Sequence, residues 1–521
     1  MWRGQTNAPR RGCPARHQID VFWREKPPAS GKFRLEASGK DLHGELTLGG
    51  SKTSIYLQDG DFFDAFPRSH RCITGVLLDL TRVTLVDCIT MSGTGSGSRG
   101  GEQYHFAKFF PHFVLYGDRC IAPSDAVITG VDFVIDDATI LFYDFDAFGS
   151  VIDARPYIDQ IAHANRLDRE IPTGPEPQIL YFTGKREIFS ANTVLGQINA
   201  SHNPSHSLGG PNGVRLQNTI SVTIEFGEPV VFEEAMTRTS ILSNYLGMLV
   251  GRPQNIQDLA VRLAPENEIT GFLRVYWSMP PRRDAAHEDE KPHCADVLID
   301  AVHEPDAFSN VLANWLRVHA ERYKARGRFF GCFADQRYYT VDRLVAAANM
   351  FDILPASAGP GDVVLTEAQT TARDEARKLF RALPQSAERD SVLGALGMMD
   401  KSRLKHKIRH RAKHVLQKAA RKFPELEMVC DQAVNCRNFY VHGSDPVFDY
   451  EAHGNAKTFF TETLEWVFAA SELIEAGWNI GAWLGRGSPM SSQFARYDKD
   501  YSLALQELKK LLPAERVASA G

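Results

Sequence analysis

Positive charge is not in excess: 59 Lys and Arg stand against 64 Asp and Glu, a formal charge of −5 over 521 residues. That excludes a uniformly basic coat of the kind that binds nucleic acid, so any polyanion contact must come from a local patch. Apolar runs of about twenty residues are missing too, so no membrane class is indicated. The first residues are polar and charged where a signal peptide would need an apolar core, so the cytoplasm is the expected location. The eight cysteines form no C-x-x-C pair and no zinc-type spacing. They are read as free buried thiols in a reducing compartment. The phosphate-binding G-K-[ST] is absent as well, and the one G-x-G-x-x-G match, at 95–100, opens no expected helix. The Gly- and Ser-rich stretch 92–101 lies between candidate strands rather than opening a helix, and it is expected to be a hairpin loop. The N-terminal half also lacks a nucleophile elbow, a paired-carboxylate signature and a cofactor fingerprint. No cofactor is expected there, and recognition is its expected task. His202 and His206 flank Pro204 in a stretch rich in Pro, Gly and Asn, so they are expected as exposed loop histidines and not as metal ligands.

The composition that remains, 43% hydrophobic and 24% charged, is that of a globular chain long enough for two or more domains. Residues 1–18 carry several Arg, no acid and no apolar periodicity, and are expected to be a disordered basic tail. From 21 to 143, short β-favouring runs alternate with turn residues: 32–37, 44–48, 53–57, 72–78, 82–89, 104–115, 127–135 and 139–143. Further strands are expected at 178–182, 213–217, 220–226, 258–263 and 270–276, with one helix at 232–250. The charged, proline-bounded run 279–291 is a linker candidate. Beyond it the apolar period changes from two to between three and four, predicting helices at 305–326, 341–351, 365–383, 401–422, 425–443, 450–478 and 501–512. The fold class expected is α+β and multidomain: a β-rich N-terminal sandwich or barrel, then an all-α bundle of about five or six helices.

One local patch supplies what the net charge withholds. Residues 401–422 contain ten Lys or Arg and no acid, and Arg403, Lys405, Lys407, Arg409, Arg411 and Lys413 are the candidate RNA grip. Arg322, Arg326 and Arg328 are candidates to reinforce a basic surface. His406, His410 and His414 share one helical face, but the surrounding positive charge opposes a divalent cation, so no metal is expected. Pro and Gly then bracket the segment 425–443. On it Leu426, Val429, Ala433, Cys436 and Tyr440 form an apolar stripe. Asp431, Asn435, Asn438 and His442 line the opposite side, a face expected to be free for chemistry.

Arg437, Asn438 and His442 read R-N-x-x-x-H, which resembles the active-site motif of HEPN-domain ribonucleases. The layout of a β-rich half before a helical half is similar to the ApeA branch of that group. Arg and His at this spacing also occur at Arg282/His287 and Arg409/His414, but only the Arg437 copy has an Asn after the Arg, a bracketed amphipathic helix and a long apolar helix following it. The resemblance implies an ApeA-like domain at 19–278, a linker at 279–300 and a HEPN domain at 301–521. It implies a homodimer that brings two motifs together, RNA of host or phage (tRNA or mRNA) as substrate, a defence role, and a sensing or restraining N-terminal half open to a phage-derived trigger. RNA carries its own nucleophile, the 2′-hydroxyl, so His442 as general acid or base, Arg437 as charge stabiliser and Asn438 as positioning residue suffice without metal. The expected products are a 2′,3′-cyclic phosphate and a 5′-hydroxyl. The alternative is a non-catalytic RNA- or protein-binding HEPN module.

Overall fold

Alternation is plain in the first strand, where Phe33 and Leu35 turn inward while Lys32 and Arg34 face out. The structure is a computed structural model describing residues 28–513 apart from 36–40, 60–68, 93, 165–171, 208–210, 212, 266–270, 281–290 and 362–363. The expected basic tail and residues 281–290 of the expected linker therefore lie outside the described residues. The chain divides into two compact units. The first takes the described residues of Met1–Leu246, Gln254–Arg283 and Asp300–Pro305, and the second those of Gly247–Pro253, Asp284–Ile299 and Asp306–Gly521.

In chain order the first unit holds β1 (Ala29–Leu35), β2 (Asp41–Thr47), β3 (Ser54–Asp59), β4 (Ser69–Leu77), β5 (Arg82–Thr90), β6 (Gly95–Arg99), β7 (Glu102–Gly117), β8 (Ile128–Ile135), α1 (Ala138–Leu141), β9 (Phe148–Ile152), α2 (Arg155–Ala164), β10 (Gln178–Phe182), β11 (Glu187–Thr193), β12 (Gly196–His206), β13 (Leu216–Val230), most of α3 (Phe232–Val250), β14 (Ile256–Leu263) and β15 (Phe272–Trp277). Thirteen strands form one sheet, and it closes on itself. β7, β3, β2, β1, β4 and β5 pair in turn and β5 returns to β7, giving a six-stranded ring. Phe33, Leu57, Ile73, Leu85 and Phe109 fill its inside. Gly75 lets the Phe33 ring lie against β4, since a Cβ there would collide with that ring, and a Cβ at Gly44 would collide with Leu57 and the Tyr56 carbonyl. The other edge of β7 continues through β15, β14, β8, β13, β12 and β11.

Three expectations fail here. Residues 139–143 were expected as a strand, but 138–141 form the short helix α1; Asp137 before it donates its backbone N–H to Gln254 Oε1 and accepts from Gln254 Nε2 at its carboxylate. The stretch 92–101 is a hairpin but not a loop, because β6 pairs along β7 and only Gly100 and Gly101 turn the chain. His202 is not an exposed loop histidine. It lies on β12, 1% exposed, with the Asn218 amide donating to its Nδ1 at 2.9 Å and Asp144 3.6 Å from its Nε2. Pro204 is tolerated because β11 pairs with β12 only as far as Ser201, leaving the rest of that strand at an edge.

The second unit is helical: α4 (Pro305–Arg317), α5 (His319–Ala334), α6 (Val341–Asp352), α7 (Glu367–Arg381), α8 (Ala387–Gly397), α9 (Leu404–Ala419), α10 (Leu426–His442), α11 (Gly454–Glu475), α12 (Ile480–Leu484) and α13 (Gln493–Leu511). Among the described residues ten helices replace the expected five or six, partly because the expected helix at 305–326 is two. Arg326 explains the break: its Nη1 donates to the Trp315 carbonyl at 2.9 Å, satisfying an orphan acceptor at the end of α4, and its guanidinium lies 3.7 Å over the Trp315 ring. Arg322 and Arg326 are thus buried and reinforce no basic surface, whereas Arg328 is exposed. α11 is the central helix, and its acids neutralise the arginines around it. Glu472 meets Arg322, Arg326 and Arg411, and Glu465 meets Arg343.

Candidate active site

α10 packs against α6, α9 and α11 because Leu426, Val429, Ala433 and Cys436 give it a buried stripe. Its end is set by Gly443, whose left-handed φ of 64° lets its N–H close onto the Phe439 carbonyl at 3.0 Å. The thiols on the stripe are inert, since burial raises Cys430 and pushes Cys436 up to about 12.

The opposite side is less open than its residues promise. Arg409 forks onto Asp431, with Nε to Oδ1 at 2.9 Å, and Lys405 donates to Asn435 at 2.7 Å. The first turns of the polar face are therefore zipped to α9, and only its last turn, with Asn438 and His442, stays available. These contacts also dispose of the Arg409/His414 copy of the motif: its Arg is neutralised by Asp431 and its His is half-buried beside Arg411. The Arg282/His287 copy lies outside the described residues.

In that last turn Arg437 Nη1 donates to Asn438 Oδ1 at 3.1 Å and meets His442 Nε2 at 2.9 Å. Its Nη2 donates to Asn349 Oδ1 on α6 at 3.1 Å. A guanidinium only donates, so Nε2 must accept, and the contact holds with the imidazole neutral and its proton on Nδ1. Every partner of Arg437 is neutral. Arg262, Arg322, Arg326, Arg343, Arg409 and Arg411 each grip a carboxylate, whereas among the described residues Arg437 has none within ion-pair distance. A half-buried cation without a counter-ion, beside an exposed imidazole, is a site prepared for an anion. Sequence reasoning missed Asn349. Residues 341–351 were read only as a helix, and no local signal distinguishes an Asn that faces a distant Arg.

Two family models match the chain: ApeA N-terminal domain 1 over residues 28–315, and Apea-like HEPN over residues 345–480. The chain belongs to the ApeA-type HEPN family. No curated protein and no solved structure matches it. HEPN domains are generally ribonucleases, and the ApeA-type pairing is that of nuclease effectors of abortive infection. The HEPN match takes in both Asn349 and the Arg437–His442 turn.

The expected RNA grip on the HEPN α9 splits. Arg411 is not available to a polyanion: it is 1% exposed and donates to Ser471, Glu475 and Glu472 at 2.9, 2.7 and 2.8 Å. Lys405 and Arg409 are engaged by α10, and Lys407 by Asp352 at 3.3 Å. Arg403 and Lys413 are exposed. His410 and His414 stack edge to face at 5.4 Å, both held below the usual imidazole range by burial and by Arg411. Among the described residues no group of three or more His, Cys, Asp or Glu is placed to hold a metal, and no helix is long and apolar enough to cross a membrane.

Proposed function

We propose that this protein is a metal-independent endoribonuclease that cleaves RNA by internal attack of the 2′-hydroxyl, leaving 2′,3′-cyclic phosphate and 5′-hydroxyl ends. One observation carries the reading: a guanidinium with no acid partner is held by neutral acceptors against an exposed imidazole. In the reaction Arg437 takes the charge that develops on the phosphorane oxygens. His442 in its neutral form takes the 2′-hydroxyl proton through Nε2 once that lone pair is released, or as imidazolium protonates the leaving 5′-oxygen. Asn438 has its carbonyl engaged by Arg437, while its amide N–H donors have no partner among the described residues and can point a phosphate oxygen. One Arg and one His cannot supply acid and base together at a single bond. The proposal therefore includes a homodimer in which two such turns serve one substrate.

The RNA strand follows the exposed cations Arg403, just before α9, and Lys413 on it, with Lys405, Lys407 and Arg409 contributing as their intramolecular partners are exchanged. Host or phage tRNA or mRNA is the proposed substrate, in an antiviral role in the cytoplasm, with the N-terminal domain restraining the nuclease until a phage-derived trigger arrives. Purified protein with end-labelled RNA in EDTA tests the chemistry. Wild type is expected to cut and leave cyclic phosphate ends, and Arg437→Ala and His442→Ala are expected to lose at least about a hundredfold in rate. If all three bind RNA equally and none cuts, the protein is a binding module.

A further inference from the structure

We infer that Asn349 is a positioning residue of this site: it anchors the Arg437 guanidinium from α6 so that Arg437 can exchange His442 for a phosphate oxygen without losing its orientation. The inference rests on the ribonuclease reading above. Arg437 has five N–H groups. The two on Nη1 serve Asn438 and His442, one on Nη2 serves Asn349, and Nε is buried without a partner. At most one N–H, the second on Nη2, is therefore open to a ligand, and a two-pronged grip on phosphate needs two.

One acceptor has to leave, and its identity follows from where each is mounted. Asn438 is the next residue on the same helix and half-buried. Asn349 sits on a helix fixed from several sides. Thr340 caps its start, accepting from the Arg343 N–H at 3.1 Å, the Arg343–Glu465 pair is fully buried, and Ala348 and Met350 on either side of Asn349 are in the core. His442 is the last residue of α10 and exposed. His442 is thus the displaceable partner. Its departure does two things together: it opens an Nη1 donor to phosphate, and it frees the Nε2 lone pair that a general base needs. During that exchange only Asn349 ties Arg437 to a second helix, because Asn438 rides on α10 with it.

The test uses the full-length protein with two changes. Asn349→Leu removes the acceptor, and Asn349→Gln keeps a neutral one. Leu is expected to lower kcat about ten- to a hundredfold with KM within about twofold, and Gln to recover most of that loss. In an Arg437→Lys background the Leu change should cost almost nothing further, because the contact it removes is already gone. Ring nitrogen-15 spectra of histidine give a readout independent of cutting: in free wild type the His442 Nε2 resonance should report a hydrogen-bonded acceptor, and in Asn349→Leu it should shift. A Leu variant that cuts at the wild-type rate overturns the inference. So does one whose loss is equally large beside Arg437→Lys, or one whose Nε2 resonance is unmoved. If wild type does not cut, or if Arg437→Ala and His442→Ala cut like it, the reading of this turn as a ribonuclease site falls, and the Nε2 resonance alone then decides whether Asn349 holds the guanidinium.

Discussion

Glu472→Gln should damage the helical unit more than any surface change. The Glu472 side chain is 1% exposed and accepts four bonds: Arg322 Nη1 at 2.7 Å and Arg411 Nη2 at 2.8 Å on one oxygen, Arg326 Nε at 2.8 Å and Nη2 at 2.6 Å on the other. Burial alone would raise its carboxyl, but Arg326, Arg411 and Arg322 outweigh burial and hold it below the usual carboxylate range. Three guanidiniums already face only two carboxylates, Glu472 and Glu475, so neutralising Glu472 leaves three against one. The amide nitrogen of Gln would also meet a donor. Breaking a buried pair from one side costs about 3–5 kcal/mol. For a unit of this size that corresponds to a melting point lower by roughly 6–20 °C, read by circular dichroism at 222 nm. Glu475→Gln should cost far less, since that side chain is 35% exposed and solvent screens it. A Glu472→Gln protein melting within about 2 °C of wild type would refute the view that this carboxylate fixes α5 and α9 onto α11.

Acid should weaken the same region through His319, which burial and Arg326 push down to about 4. The unfolded chain binds that proton first, near pH 6.5, so stability is full above that pH and falls as pH drops toward 4. The loss is up to about 2 kcal/mol at pH 5, and His319→Gln should flatten that part of a urea-midpoint profile; an unchanged profile would contradict the assignment. In RNA binding by fluorescence anisotropy, Arg403→Gln and Lys413→Gln should each reduce the slope of log affinity against log salt by about 0.7 if each neutralises one phosphate. Arg411→Gln should instead leave the slope alone and lower the melting point.

Much of this was legible where one period dominates. The expected helix at 232–250 coincides with α3, and the segment 425–443 encloses α10, because a buried stripe and a C-terminal glycine are local facts. Strand existence in the ring was legible for the same reason, but its closure was not, since β7 to β5 pairing is a property of register. The charged residues misled most. Arg322, Arg326 and Arg411 look in sequence like solvated helix charges, and they are buried because Glu472 and Glu475, some 60 to 150 positions away, wait for them. The Arg437–His442 pair was visible as spacing, whereas Asn349, 88 positions upstream, needed the packing of α6 on α10.

β7 has a consequence for how the first unit is made. The residues 113–117 bond to β5 along one edge and to β15 along the other. The ring partners are all synthesised by residue 117, but β15 does not begin until residue 272. At ordinary ribosome speeds those edge amides stay without their second neighbour for roughly ten to thirty seconds. During that interval the nascent chain offers an adhesive seam to any extended peptide nearby, so its yield should depend on how well that seam is shielded during translation.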